Sequence, residues 1–295
     1  MHGDAMSIAQ TPPAAHAVRW RLRDGTLDLT APRIMAICNV TPDSFSDGGE
    51  HYSVDLAVRY AESALRDGAV LLDIGGESTR PGATPVSAAQ ELARVIPVIE
   101  AVRERLPTLL ITVDTVKAAV AEAALAAGAH AINDVSGGRL DPRMFGVVAT
   151  AGAGMVVMHS RGNVSSMATY ALATYGTDVT QDVCNELGVQ LSRAHDAGIP
   201  SDAIVIDPGL GFSKTSAHSL TLLRELAQIV ALGYPVLVGA SRKRFVGELT
   251  GESNPTRRAL GSAVVHAFAV ARGAHIVRTH DVRETRDALA VAAAI

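Results

Sequence analysis

The sequence predicts an α/β protein, a single closed (β/α)8 barrel of the TIM type with a short N-terminal extension, and three observations carry that expectation. Short apolar, β-branched runs recur eight times along the chain. Each is followed by a stretch, often Ala-rich, with helical spacing. Most of those stretches stop at a glycine just before the next run, at Gly68, Gly128, Gly152, Gly198, Gly233 and Gly273, where a left-handed residue ends a helix without a Cβ clash. An eightfold strand–helix alternation with no composition break favours a closed barrel over an open doubly wound sheet.

Residues 1–30 stand outside the alternation and read as an N-terminal extension, partly flexible; residues 31–295 form the barrel. Within the extension, 20–29 is expected to fold as a small hairpin with Asp24-Gly25 at its middle, closing the bottom of the barrel. The expected strands are 34–40, 69–74, 109–113, 131–135, 155–158, 203–206, 235–238 and 276–277. They are nearly continuous hydrophobic runs, as parallel strands covered on both faces are. Helical spacing marks 56–65, 88–105, 116–126, 179–197, 220–232 and 258–271. The longest uncharged run, 144–160, is broken by Gly146, Gly152 and Gly154 and reads as a helix end, a glycine turn and a buried strand, not a membrane span.

Composition bounds the function. Hydrophobic residues are 48% and charged residues 19% of the 295, enough for a large core and too apolar for a disordered chain. Lys+Arg number 26 against 30 Asp+Glu, a net charge of −4, which argues against nucleic acid and anionic membrane as partners. A local basic pocket for a phosphate-bearing small molecule remains compatible. Two cysteines, Cys38 and Cys184, make neither a disulfide framework nor a four-thiolate zinc site, so a reducing cytoplasm is expected. The segment 1–31 lacks the apolar core of a signal peptide.

In such a barrel the strand C-termini and the loops after them build the site. All eight expected strands end in polar side chains: Asn39, Asp73, Asp114, Asn133-Asp134, His159-Ser160-Arg161, Asp207, Ser241-Arg242-Lys243-Arg244 and Arg278-Thr279-His280-Asp281. Asp114, Asn133 and Asp207 offer acceptors and an amide to a planar, donor-rich heterocycle. Lys243, Arg278 and His280 supply cations and donors for phosphate. Asn39, with Asp43 and Asp47 nearby, offers hard oxygens suited to Mg²⁺ held chiefly by substrate phosphates and water. A heterocycle, a phosphate group and magnesium together point to transfer chemistry with diphosphate as leaving group.

The motifs add a resemblance. Asn39-Val-Thr-Pro-Asp-Ser-Phe-Ser-Asp-Gly-Gly49 and Asp73-Ile-Gly-Gly-Glu-Ser-Thr-Arg-Pro-Gly82 resemble the two signature loops of the dihydropteroate synthase family. Asp114-Thr, Asn133-Asp-Val-Ser-Gly-Gly138, Met158-His159, Asp207-Pro-Gly-Leu-Gly-Phe212, Ser241-Arg-Lys243 and Arg278-Thr-His-Asp281 follow in the family's order. The resemblance implies condensation of (7,8-dihydropterin-6-yl)methyl diphosphate with 4-aminobenzoate to dihydropteroate and diphosphate in folate synthesis, by an SN1-like path through a pterin carbocation. It implies that Asp114, Asn133, Asp207 and Lys243 grip the pterin and that Thr79, Asn39, Arg278 and His280 hold the diphosphate, with Asn39 also ligating Mg²⁺. Phe45, Arg80, Pro81 and Lys243 would frame the aminobenzoate pocket, and Asp47 would stabilise the cation, so that Asp47, Arg80 and Lys243 are the catalytic set. It further implies a sulfonamide target and a homodimer, with the small-residue stretch 258–271 as a candidate dimer face.

The departures are few. Ser213 stands where many relatives carry glycine before Lys214, the loop 160–167 follows the family loosely, and Arg244 follows Lys243 where serine is also common. Two rivals are a non-catalytic pterin-binding paralogue and a pterin-dependent methyltransferase module; the Ser-Phe-Ser-Asp-Gly-Gly loop and the Ser-Thr-Arg-Pro turn speak against both. Among single residues, Asp55 and Asp141 read as helix caps, His195, His218 and His266 as surface or core residues, and Cys38 as a small buried hydrophobe. His159 is open between a structural and a ligand role. Arg242-Lys243-Arg244, directly after a strand, reads as part of the pocket.

Overall fold

The computed structural model describes residues 18–41, 49–78 and 85–295. A hairpin of β1 (Arg19–Leu22) and β2 (Gly25–Asp28) precedes eight strands: β3 (Arg33–Asn39), β4 (Leu71–Gly75), β5 (Leu110–Asp114), β6 (Ala131–Asp134), β7 (Gly154–Met158), β8 (Ile204–Asp207), β9 (Leu237–Val238) and β10 (Ile276–Thr279). These pair in parallel in the order β8-β7-β6-β5-β4-β3-β10-β9, and a bridge between Ile206 and Val236 brings the two edges together. The ring therefore closes, which removes the free edges that an open parallel sheet would expose.

Around it lie α1 (Gly49–Asp67), α2 (Ala88–Arg105), α3 (Ala118–Ala126), α4 (Met144–Ala151), α5 (Val179–Asp196), α6 (Ser216–Arg224), α7 (Leu226–Val230), α8 (Arg244–Thr250), α9 (Ala259–Val270) and α10 (Val282–Ala294). Helix starts follow the local chemistry: Ser87 and Gln90 form a capping box on α2, and Asp178 accepts from the amides of Thr180 and Gln181 at α5. Asp141 accepts the Ala118 amide at 3.0 Å, capping α3 from across a loop. Gly152 ends α4 at φ 61°, the left-handed conformation its position calls for. Among the described residues no helix is long and apolar enough to cross a membrane.

Three expectations are corrected. Asp55 lies inside α1 (Gly49–Asp67) and does not cap its start. The stretch 220–232 is not one helix: Glu225 leaves helical geometry (φ −103°, ψ 19°), separating α6 from α7, and its carboxylate takes the Thr180 hydroxyl of α5 at 2.5 Å. In the hairpin Leu22 pairs with Gly25, so Arg23-Asp24 is the two-residue turn, one position earlier than expected. Burial sets that register: Trp20 and Leu22 face the barrel while Arg19 and Arg21 face out, and a one-residue slip would invert the faces. Helices α8 and α10 both lie outside the stretches named from helical spacing, though α10 is the helix expected after the last strand.

The hairpin is the plug of the barrel. Trp20, Leu22 and Leu29 pack against Met35, Leu71, Ala131, Val156, Val205, Leu237 and Ile276, from seven of the eight strands. The Trp20 indole N–H donates to the Ala203 carbonyl at 2.9 Å. Apolar side chains thus fill the N-terminal end, and the C-terminal end is left to polar groups. Trp20→Ala should destabilise the protein by about 3–5 kcal/mol, the usual cost of emptying a large buried aromatic site, while turnover per folded molecule stays near wild type. Denaturant unfolding read beside activity checks this; a loss of turnover without a loss of stability would contradict the plug.

Candidate active site

At the C-terminal end the strands converge on a cluster of charged and amide side chains. Asp73, on β4, is wholly buried inside an otherwise apolar strand. It accepts the Thr112 hydroxyl at 2.5 Å, the Asn133 side-chain N–H at 2.8 Å and the Arg278 Nε–H at 2.6 Å. The other arm of Arg278 donates through Nη2 to Asp114 at 2.7 Å. One cluster therefore joins β4, β5, β6 and β10. Asn39 belongs to the same neighbourhood, since a methyl group on Gly75 would meet Asp114 Cβ at 3.5 Å and Asn39 Oδ1 at 3.6 Å.

The opposite wall comes from β8 and β9. Asp207, at the end of β8, accepts the Gly209 amide at 2.7 Å. A methyl on Gly239 would meet Asp207 Oδ2 at 4.0 Å and Arg278 Cβ at 3.8 Å, so this wall touches the first. Lys243 donates to the Leu210 carbonyl, and its ammonium lies 4.7 Å from the centre of the Phe212 ring. Gly211, at φ 76°, has its Cβ position 3.2 Å from the Lys243 chain, and glycine is what this close approach permits. Ser241 shares its hydroxyl with His280 Nδ1 at 2.9 Å and takes the His280 amide at 3.1 Å.

Electrostatics follow from crowding carboxylates in a desolvated mouth. Desolvation pushes Asp114 up to about 7, and Asp73 adds to this while Arg278 opposes it. Asp207 is raised chiefly by burial, against the pull of Lys243. Burial brings Lys243 down to about 8 although Asp207 favours its charge. Asp114 and Lys243 thus stand near neutrality, the condition in which small environmental changes move protons.

Behind the β7 and β8 ends a second network is buried. Lys214, fully buried, lies 2.7 Å from His159 Nδ1 and donates to the Phe212 carbonyl at 3.0 Å. His159 Nε2 lies 3.0 Å from Glu186, which also takes the Arg161 guanidinium. Burial first, then Lys214, depress His159 to about 4, so its ring is neutral at pH 7, giving its Nε2–H to Glu186 and accepting from Lys214. Burial opposes ionisation of Glu186, but the bonds from His159 and Arg161 outweigh it and hold that carboxyl at about 2. Burial also drives Lys214 well below the ordinary lysine range.

Of the residues expected in the site, Asn39, Asp114, Asn133, Asp207, Lys243 and Arg278 come together around one mouth, and His280 follows the end of β10, bonded to Ser241. Asp43, Phe45, Asp47, Thr79, Arg80 and Pro81 lie outside the described residues. The basic run divides: Lys243 enters the mouth, Arg242 pairs with Asp281 at 3.0 Å, and Arg244 lies over the exposed ring of Tyr170 at 4.5 Å. His159 resolves to the structural role. Cys38 is buried, its thiol pushed by desolvation up to about 12, which leaves it inert. Asp134 serves its own loop, accepting from Ser136 and Gly138 amides at 2.7 and 3.0 Å. The sequence reading missed the roles of Asp73, Lys214 and Glu186. A carboxylate inside the apolar run Leu71-Leu72-Asp73-Ile74 is the one signal that points to Asp73; Lys214 and Glu186 carry none.

A closed (β/α)8 barrel with a dry apolar plug at one end and carboxylate, amide and cationic side chains converging at the other is an enzyme scaffold that binds a small polar ligand. The chain belongs to the pterin binding enzyme family, whose profile matches residues 35–280. It is 42% identical over 262 residues to the dihydropteroate synthase of a Synechocystis species, covering 89% of each chain. Among solved structures, Xanthomonas albilineans dihydropteroate synthase with 4-aminobenzoic acid superposes with a TM-score of 0.88 at 45% identity, covering 95% of this chain and 98% of that one. The same enzyme in complex with 7,8-dihydropteroate gives 0.82 at 43% identity, over 91% and 95%.

Proposed function

We propose that this mouth condenses (7,8-dihydropterin-6-yl)methyl diphosphate with 4-aminobenzoate, and that its residues act as follows. The activity is that of a dihydropteroate synthase, an alkyl/aryl transferase of folate synthesis. The observation that carries the division of labour is the ion-paired cluster of Asp73, Arg278 and Asp114 beside Asn133 and Asp207. Asp114, Asn133 and Asp207 present acceptors to the ring's N–H edge, and Lys243 faces Asp207 across it. Asn39, Thr79, Arg278 and His280 hold the diphosphate, and Phe45, Arg80, Pro81 and Lys243 frame the aminobenzoate.

In the reaction the methylene C–O bond breaks and its electron pair leaves with diphosphate. The electron-rich dihydropterin delocalises the cation, Asp47 offsets its charge, and the aniline nitrogen adds its lone pair and sheds a proton. Arg278 and His280 neutralise charge that grows on the departing oxygens, a role worth most where water is excluded. Arg80 and Lys243 orient the second substrate for attack. The described residues hold no cluster of three His, Cys, Asp or Glu fit for a metal, and Asn39 offers one carbonyl oxygen at the mouth. Such a donor fits Mg²⁺, which Asn39 would hold together with the substrate's phosphates and which would supply further neutralisation of the leaving group.

The partners are these small molecules and a second copy of the chain. Leu260, Val264 and Phe268 stand 75%, 59% and 44% exposed at successive turns of α9, next to Leu249 of α8 at 59%. An apolar stripe of this kind suits an isologous dimer. The buried free thiols of Cys38 and Cys184 suit the reducing cytoplasm.

Diphosphate should be released, and dihydropteroate formed, when both substrates and Mg²⁺ are present, and Asp207→Ala should weaken pterin diphosphate binding about tenfold to hundredfold, because ring donors lose their acceptor. Release that is absent at every Mg²⁺ concentration would overturn the assignment of the mouth. The pterin's N–H donors favour ionised Asp114, which is half protonated near pH 7 when free. Affinity should therefore fall about tenfold per unit as pH drops below 7, with proton release on binding read by calorimetry in buffers of differing ionisation enthalpy. Asp114→Asn should flatten that slope. The same raised carboxyl adds stability that is full below pH 4 and is lost as pH rises through about 7. Sedimentation should show a dimer that Val264→Glu dissociates.

A further inference from the structure

We infer that Asp73 is a positioning residue for the pterin ring: it fixes which edge of the Asn133 amide the ring meets and sets the Arg278 guanidinium against Asp114. The inference rests on the pocket reading above.

Asp73 itself offers nothing to a ligand. It is wholly buried, and its two oxygens are occupied by the Thr112 hydroxyl on one side and by the Asn133 and Arg278 N–H groups on the other. Fold stability does not account for it, since the desolvation of a buried carboxylate roughly cancels what its partners return, and an apolar side chain of similar size fills such a place as well. Its neighbours on β4, Leu72 and Ile74, are apolar and also wholly buried.

What the carboxylate does is choose an orientation. A side-chain amide is planar, with donors on one edge and an acceptor on the other, and rotation by half a turn exchanges them. A carboxylate only accepts, so the edge of Asn133 that meets Asp73 at 2.8 Å is the N–H edge. Asn133 Oδ1 is thereby turned away from Asp73, to serve as acceptor for the ring. The same Oδ2 holds Arg278 through Nε at 2.6 Å, which aims Nη2 at Asp114. Two groups of the pocket take their direction from one atom that the substrate never touches. Without Asp73 the amide is free to offer a donor where the ring also has one, and the guanidinium keeps only one carboxylate.

The test uses full-length enzyme and reads pterin diphosphate affinity by calorimetry, the KM for 4-aminobenzoate, and thermal midpoint together. Asp73→Asn should weaken the pterin substrate about tenfold to hundredfold, with the KM for 4-aminobenzoate at saturating pterin substrate within about twofold of wild type. The exchange variant, Asp73→Asn with Asn133→Asp, again pairs an N–H with a carboxylate oxygen and leaves the second oxygen of residue 133 to accept. It should recover about tenfold of the lost affinity. If Asp73→Asn alone fails to fold, the exchange variant carries the test by binding the pterin substrate within about tenfold of wild type. A lowered midpoint with unchanged pterin affinity in Asp73→Asn, or a folded exchange variant with no recovery, overturns the inference. Asn133→Ala separates the two levels: unchanged affinity there sinks the pocket reading and this inference together. Weakened affinity in Asn133→Ala beside an unaffected Asp73→Asn sinks the positioning role alone.

Discussion

The ion pairs of Arg278 with Asp73 and Asp114 cross the mouth from the last strand of the barrel to its second and third. They tie three strands together at that end of the molecule. Asp73 and Asp114 are carboxylates brought close by neighbouring parallel strands in a desolvated mouth, an arrangement that calls for a cation between them. A guanidinium is suited to such a pair because it keeps its charge and presents its donors in a rigid fork. Even so, compensation is incomplete: Asp114 remains up at about 7. On the proposed reading, Arg278 loosens part of this arrangement to meet the leaving diphosphate, and Asp114 turns to the ring's N–H donors.

A second network holds the far wall. Lys214, His159, Glu186 and Arg161 run from behind the Asp207 loop to the start of the loop after β7. They keep Phe212 and Gly209 beside Asp207 and Lys243. Ser213, which departs from the family pattern read in the sequence, takes a left-handed φ of 49°, a conformation a serine adopts only at some cost. Its side chain offsets that cost by accepting the Arg161 amide at 3.0 Å and donating to the Arg161 carbonyl at 2.8 Å. The departure seen in the sequence is thus answered locally, by a stitch between two loops that glycine cannot make.

The fold was legible because its signals are local and repeated. Eight apolar runs and the glycines before them follow from hydrophobic strands and left-handed helix ends, so their positions fell within a few residues of the observed elements. Where long-range contact decided, the sequence was mute. The kink at Glu225 comes with Thr180, 45 positions away, and the hairpin register comes from the seven strands beneath Trp20. The site divides in the same way. Polar strand ends named Asn39, Asp114, Asn133, Asp207, Lys243, Arg278 and His280, because a barrel sends every strand end to one face. The role of Asp73 depends on three donors on three other strands, at separations of 39, 60 and 205 residues. No pattern within a segment contains that information. His159, poised between two readings in the sequence, was settled by Lys214 and Glu186, partners 55 and 27 positions away.

The two ends of the barrel answer to opposite requirements. At the N-terminal end Trp20 and the first residues of the strands exclude water with apolar contact, and nearly any side chain of fitting shape would do. At the C-terminal end the chain spends carboxylates, amides and cations whose net contribution to folding is small, because each pays for its desolvation. Such groups survive in a stable protein only if another region supplies the stability, and the hairpin plug with its layer of strand-start side chains is placed to supply it. The depth of Asp73 marks the boundary: one layer below it the interior is dry and apolar, and one layer above it every side chain has a direction that matters.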